Sequence, residues 1–130
     1  MTIEEKMSYW IELSNNDFAV AETLLMNGHY TYTGFMCHQA IEKILKGYFI
    51  KGKDETPPFK HDLEFLAQQS GLYNLLSKEQ IIFLERLTPL NIEARYPDYK
   101  NKIAQYMTKE ITQKIYEQTK EFLQWIKKMM

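Results

Sequence analysis

An all-α fold, an antiparallel up-and-down bundle of four to five helices, is what this sequence predicts, and three observations carry the prediction. The 130 residues include only five glycines and four prolines. The long stretches between them return apolar side chains every three or four positions, the period that lines one face of a helix. Apolar residues make up 45% of the chain and aromatics 14%. A chain of this length hides roughly two thirds of its unfolded surface, so one core within a single domain over residues 1–130 is expected.

The first helix is predicted from about Ile3 to Asn27, with Met7, Trp10, Ile11, Phe18, Ala21 and Leu25 on one face. Asn27-Gly28 stops it, because glycine accepts the left-handed turn at a helix end. A second helix starts near Thr31 or Thr33 and runs to about Lys51. Its apolar stripe, from Phe35 through Ile41, Ile44 and Leu45 to Phe49, is wide, which predicts a central position. Residues 52–60 contain Pro57-Pro58, whose fixed φ and missing N–H groups preclude a helix, so a surface loop is expected. His61-Asp62 opens a short helix to Gln69, closed by Ser70-Gly71, and Ser77 caps another that runs through Leu90 with Pro89 at its end. Residues 91–102 read as irregular. A last helix, Thr108 to about Lys128, is seamed by Ile111, Ile115, Phe122, Ile126 and Met129. Short connections between amphipathic helices produce an antiparallel bundle.

Charged residues are 25% of the chain with a net of −1, which excludes a disordered acidic tail and a uniformly basic nucleic-acid binder. The balance hides an asymmetry: residues 1–30 hold five acids and one lysine, residues 100–130 seven lysines and three acids. Antiparallel docking of the two ends, or simple solvation of both faces, satisfies that pattern. Cys37 is the one cysteine, so neither a disulfide framework nor a zinc site of several thiolates is expected, and a reducing compartment is. The opening residues lack a leader pattern, and no stretch approaches the ~18 apolar residues of a membrane span. A cytoplasmic protein that avoids membranes is the expectation.

Few residues offer chemistry. His29, His38 and His61 are the three histidines, and no two have the i, i+4 spacing that lets one helix hold a metal. No metal or other cofactor is called for. His38 and Glu42 lie one turn apart and read as an ordinary pair on a helix surface, His29 as a cap for the carbonyls ending the first helix. His61 and Asp62 read as caps more readily than as reacting groups. Glycine-rich phosphate loops are missing, and Cys37 sits on an apolar helix face, a poor setting for a nucleophilic thiol.

The unusual stretch is residues 91–102, which packs Arg95, Tyr96, Tyr99, Lys100 and Lys102 between two helices. A guanidinium fork fits phosphate oxygens, tyrosine rings stack on bases, and lysines add cationic charge. The competing reading pairs Arg95 with Glu93 or Asp98 to fix the loop while the tyrosines fill the end of the bundle. Composition leaves the two even. Trp10, Trp125, Phe122, Tyr116 and Met129-Met130 exceed what one small bundle readily buries, which suggests a homodimer.

Four pieces in order resemble the HEPN domain, the helical family of higher eukaryotes and prokaryotes named for nucleotide binding. They are the first helix with Trp10, Asp17 and Asn27-Gly28-His29-Tyr30; the run Gln39-Ala40-Ile41-Glu42-Lys43; His61-Asp62-Leu63; and Ala94-Arg95-Tyr96-Pro97. The resemblance covers nearly the whole chain. It implies a helical bundle that pairs into a homodimer and works beside a minimal nucleotidyltransferase. Many members of the family are metal-independent ribonucleases, several of them toxins of toxin–antitoxin systems, marked by an arginine followed after four to six residues by a histidine. Arg95 fits the arginine, but Lys100, Asn101 and Lys102 stand where the histidine belongs. Lysine titrates near ~10.4 and is a poor base at neutral pH. The resemblance carries over Arg95 as a phosphate contact and does not carry over catalysis; joined to the cationic, aromatic run it leads to a nucleotide- or RNA-binding module using Arg95, Tyr96, Lys100, Lys102 and His61, with the catalytic residues unknown. The alternatives are a metal-independent endoribonuclease toxin and a purely structural partner subunit.

Overall fold

The computed structural model describes residues 1–130, leaving only the side chain of Ala94 outside the described set. The order is α1 (Ile3–Met26), α2 (Tyr30–Lys53), α3 (Leu63–Gln69), α4 (Lys78–Leu87), α5 (Pro97–Tyr106) and α6 (Lys109–Lys127). Short 3-10 segments join α3 to α4 and α4 to α5. Among the described residues there is no strand, and the molecule is an all-α bundle.

Helix starts are written into the sequence. Thr2 Oγ1 accepts from the Glu5 N–H at 3.0 Å while Glu5 returns a carboxylate oxygen to the Thr2 N–H at 2.9 Å, which satisfies two of the donors a helix start leaves open. Ser77 and Gln80 repeat the arrangement on α4. Asp62 caps α3 by accepting from the Phe65 N–H at 3.1 Å. The imidazole of His29 makes no capping bond. The carbonyl of Leu24 is instead met by the His29 backbone N–H at 2.9 Å, because Gly28 at φ 78° turns the main chain itself back toward the helix end.

The centre belongs to α2, as its wide stripe predicts. Ile41, Ile44 and Leu45 are fully enclosed by Leu63 and Leu66 of α3, Leu84 and Leu87 of α4 and Ile115 and Ile126 of α6. Each such side chain contributes about 1.5–3 kcal/mol through burial. α1 lies antiparallel along α2 and approaches closely at Gly47, where a Cβ would stand 3.1 Å from the Trp10 Cβ. Of the residues of α1 only Ser14 and Ala21 are buried, so this helix covers the core from outside. Contacts of Lys127 with Asn15 and Tyr116 with Glu22 run α6 antiparallel to α1. The charged ends do meet that way, but no ion pair joins α1 to α6 among the described residues, so most of those charges face solvent.

Two expectations need correction. Residues 97–102, expected to be irregular, are the first turns of α5: Pro97 occupies the first helical position, where its missing N–H costs nothing and its φ is preset, and Ile103 anchors the helix to the core. Lys100 and Lys102 therefore project from a helix. The large apolar residues that suggested a dimer are mostly absorbed by the bundle, with Phe122 and Tyr116 buried, Trp125, Met129 and Met130 packed against the core, and Trp10 half-buried. No helix is long and apolar enough to cross a membrane.

Candidate functional site

His38, on the inner face of α2, is completely buried, and Glu42 one turn later nearly so. This corrects the surface pair expected there: the loop over residues 54–62 folds across α2 and covers them. Burial holds the His38 imidazole below its ordinary 6.5, against the opposing pull of the Glu42 carboxylate, so it is neutral at pH 7. The neutral ring donates from Nε2 to the backbone carbonyl of His61 at 3.1 Å, and its Nδ1 lies 3.3 Å from the Gln39 side-chain amide.

Glu42 is the hub beneath the covering segment. One carboxylate oxygen is 3.0 Å from Nδ1 of His61 and the other accepts from the Lys46 ammonium at 3.1 Å. Lys46 is buried between two rings, 5.8 Å from the centroid of Trp10 and 5.7 Å from that of Phe59. A buried charge is tolerable only when paired in this way. His61 is thus fixed twice, by its carbonyl on His38 and its ring on Glu42, while the side chain stays 54% exposed. Together with Gln39, Phe35, Asn91 and Glu93 it lines an open cleft of about 200 Å³.

Arg95 sits between the last 3-10 turn, Ile92–Ala94, and α5, in extended backbone at φ −117° and ψ 151°. Its guanidinium lies over the ring of Tyr99, 5.0 Å from the centroid, one helical turn on. Neither Glu93 nor Asp98 forms an ion pair with it among the described residues. Its Nε is buried with no acceptor within reach among them. The loop-fixing reading therefore lacks its ion pair, and Tyr96, at 86% exposed, does not fill the bundle end. Lys100 and Lys102 are exposed on the first turns of α5. The result is a cation resting on an aromatic face with two ammonium groups and a free tyrosine ring nearby in sequence.

The structure joins these residues unevenly. Arg95, Tyr96, Lys100 and Lys102 share the start of α5, whereas no described contact links His61 to Arg95. The connection is through Glu93, two residues before Arg95, which shares the cleft with His61. A larger hollow of about 670 Å³ between the end of α1 and the start of α6, lined by residues such as Glu22, Tyr30 and Tyr116, contains none of them. Among the described residues no three histidine, cysteine or acidic side chains gather where a metal ion would sit. The Cys37 thiol is enclosed and burial pushes it up to about 12. Sequence reasoning missed the Glu42–His61 bond, since nineteen positions separate the partners and no spacing rule spans them. It also passed over Phe59, whose signal was an apolar ring in the run Pro57-Pro58-Phe59-Lys60.

A family model described as the HEPN domain matches residues 7–129. Neither the curated proteins nor the solved structures include a match to the chain.

Proposed function

We propose, because this chain belongs to the HEPN domain family, that it is a nucleotide- or RNA-binding module whose phosphate contacts come from Arg95, Lys100 and Lys102, with Tyr96 offered to a base. Family membership supports a nucleotide- or RNA-related role in general. The observation that carries the finer reading is the Arg95 guanidinium, stacked on Tyr99 and without an ion-pair partner. A phosphate supplies the acceptors that such a fork lacks. Titrating a short labelled RNA against wild type and Arg95→Ala tests this. Weaker binding by the variant is expected, and equal affinity refutes it.

The module acts as a homodimer beside a minimal nucleotidyltransferase. Family resemblance supports that part, and so do the apolar side chains α1 leaves exposed, Tyr9, Val20 and Met26. Sedimentation at low concentration checks the dimer. Co-purification with the enzyme but no ligand effect would favour a purely structural role.

A second reading, a metal-independent endoribonuclease toxin, is favoured by the Glu42–His61 bond at 3.0 Å. A carboxylate on Nδ1 fixes an imidazole and leaves Nε2 to take a proton from a 2′-hydroxyl or return one to the leaving oxygen. Incubating RNA with wild type and His61→Ala in excess chelator decides it. Cleavage lost only in the variant supports the enzyme; intact RNA with wild type removes it.

A further inference from the structure

We propose that Phe59 is a stacking platform for a nucleobase, and that with His61 and Gln39 it forms a base subsite beside the cleft. The inference rests on the reading that the chain binds RNA and assigns that reading a second anchoring point, on a different element from α5.

Phe59 is 90% exposed, yet the backbone that presents it is pinned on both sides. Pro57 and Pro58 precede it with fixed φ, and the Lys60 N–H closes a tight turn onto the Pro58 carbonyl at 2.9 Å. His61 is then held by His38 and Glu42, and Asp62 caps α3. Apart from its contact with Lys46, the ring is held out to water on a braced backbone, the arrangement a stacking partner can use. One face of the ring looks at the Lys46 ammonium at 5.7 Å; the 90% exposure leaves the opposite face to solvent. The edge meets the His61 ring, with centroids 6.1 Å apart, and His61 opens onto the cleft.

The surroundings select the guest. Beyond His61 the cleft carries the amides of Gln39 and Asn91 and the carboxylate of Glu93, a mixture of donors and acceptors that suits the edge of a base. Gln39 is steadied by His38 at 3.3 Å. Lys60, next in sequence and exposed, supplies a cation for the adjoining phosphate. The side chains that meet the ring itself are the Lys46 ammonium and the His61 imidazole, groups that suit a base and its phosphate. A flat ring beside cationic and amide side chains is how single-stranded nucleic acid is held without strict sequence choice.

The test titrates two eight-nucleotide oligomers, adenosine RNA and the same ribose-phosphate backbone with abasic positions, against wild type, Phe59→Ala and Phe59→Trp. Phe59→Ala is expected to lose about 5- to 140-fold on adenosine RNA and little on the abasic oligomer, with Phe59→Trp retaining the preference. Wild-type binding that Phe59→Ala leaves unchanged overturns the subsite while the RNA reading stands. So does an equal loss on both oligomers, which would mark Phe59 as acting through the loop rather than by stacking. No binding of either oligomer by wild type overturns the RNA reading itself.

Discussion

Replacing Glu42 with alanine strands the Lys46 ammonium, which is 7% exposed, between two aromatic rings with no counter-charge. Removing one member of a buried pair costs about 3–5 kcal/mol, and the flexible stem of lysine recovers part of that by extending toward water. A loss of about 2–4 kcal/mol follows. Unfolding entropy near 2.1 cal/mol/K per residue gives this 130-residue chain roughly 0.27 kcal/mol/K, so Tm should fall by about 7–15 °C. The double variant Glu42→Leu/Lys46→Met removes both charges and should return to within about 1 kcal/mol of wild type. Thermal and urea melts of wild type, Glu42→Leu, Lys46→Met and the double variant measure the coupling directly, with Glu42→Ala melted beside them. A single variant within about 0.5 kcal/mol of wild type, or a double variant as unstable as the single, would refute the description of Glu42 as the hub beneath the covering segment.

Further outcomes follow from the same geometry. His38 is held below 6.5 by burial, so the unfolded chain binds a proton there that the fold refuses. Its share of stability is full above 6.5 and is lost as pH falls through the lower folded value. Urea melts between pH 7.5 and 5 should show His38→Asn lacking that part of the slope, at most about 1.4 kcal/mol per pH unit; identical slopes would contradict it. Cys37, enclosed and with a thiol pushed up to about 12, should not react with a thiol reagent in the native protein, and its labelling should follow the unfolding curve. Rapid labelling without denaturant would contradict its burial.

The fold was legible because its signals are local and repeat. Ser77 and Gln80, Asp62, and Asn27-Gly28 mark ends of helices, and the wide stripe of α2 announces its central place. Residues 91–102 read as irregular although Pro97 at a first helical position, Asp98 in the first turn and Ile103 on the buried face were the cues to α5. The candidate site was legible only in its contiguous half. Arg95 to Lys102 could be seen as one cationic, aromatic run, but whether Arg95 was already neutralised depended on side-chain placement. The other half is assembled by tertiary packing: Glu42 reaches His61 only because a proline-braced loop crosses α2, and neither burial nor that crossing has a signature in residue spacing.

The central claim, that Arg95 meets an RNA phosphate, is tested most directly by the salt dependence of binding. Each phosphate neutralised on a single strand adds about 0.7 to the slope of log affinity against log salt. Wild type and Arg95→Ala titrated with one short RNA across a salt series should give lines that differ by about 0.7 in slope, the variant weaker at low salt and the two converging as salt rises. Superimposable lines would place the phosphate contacts elsewhere and contradict the account.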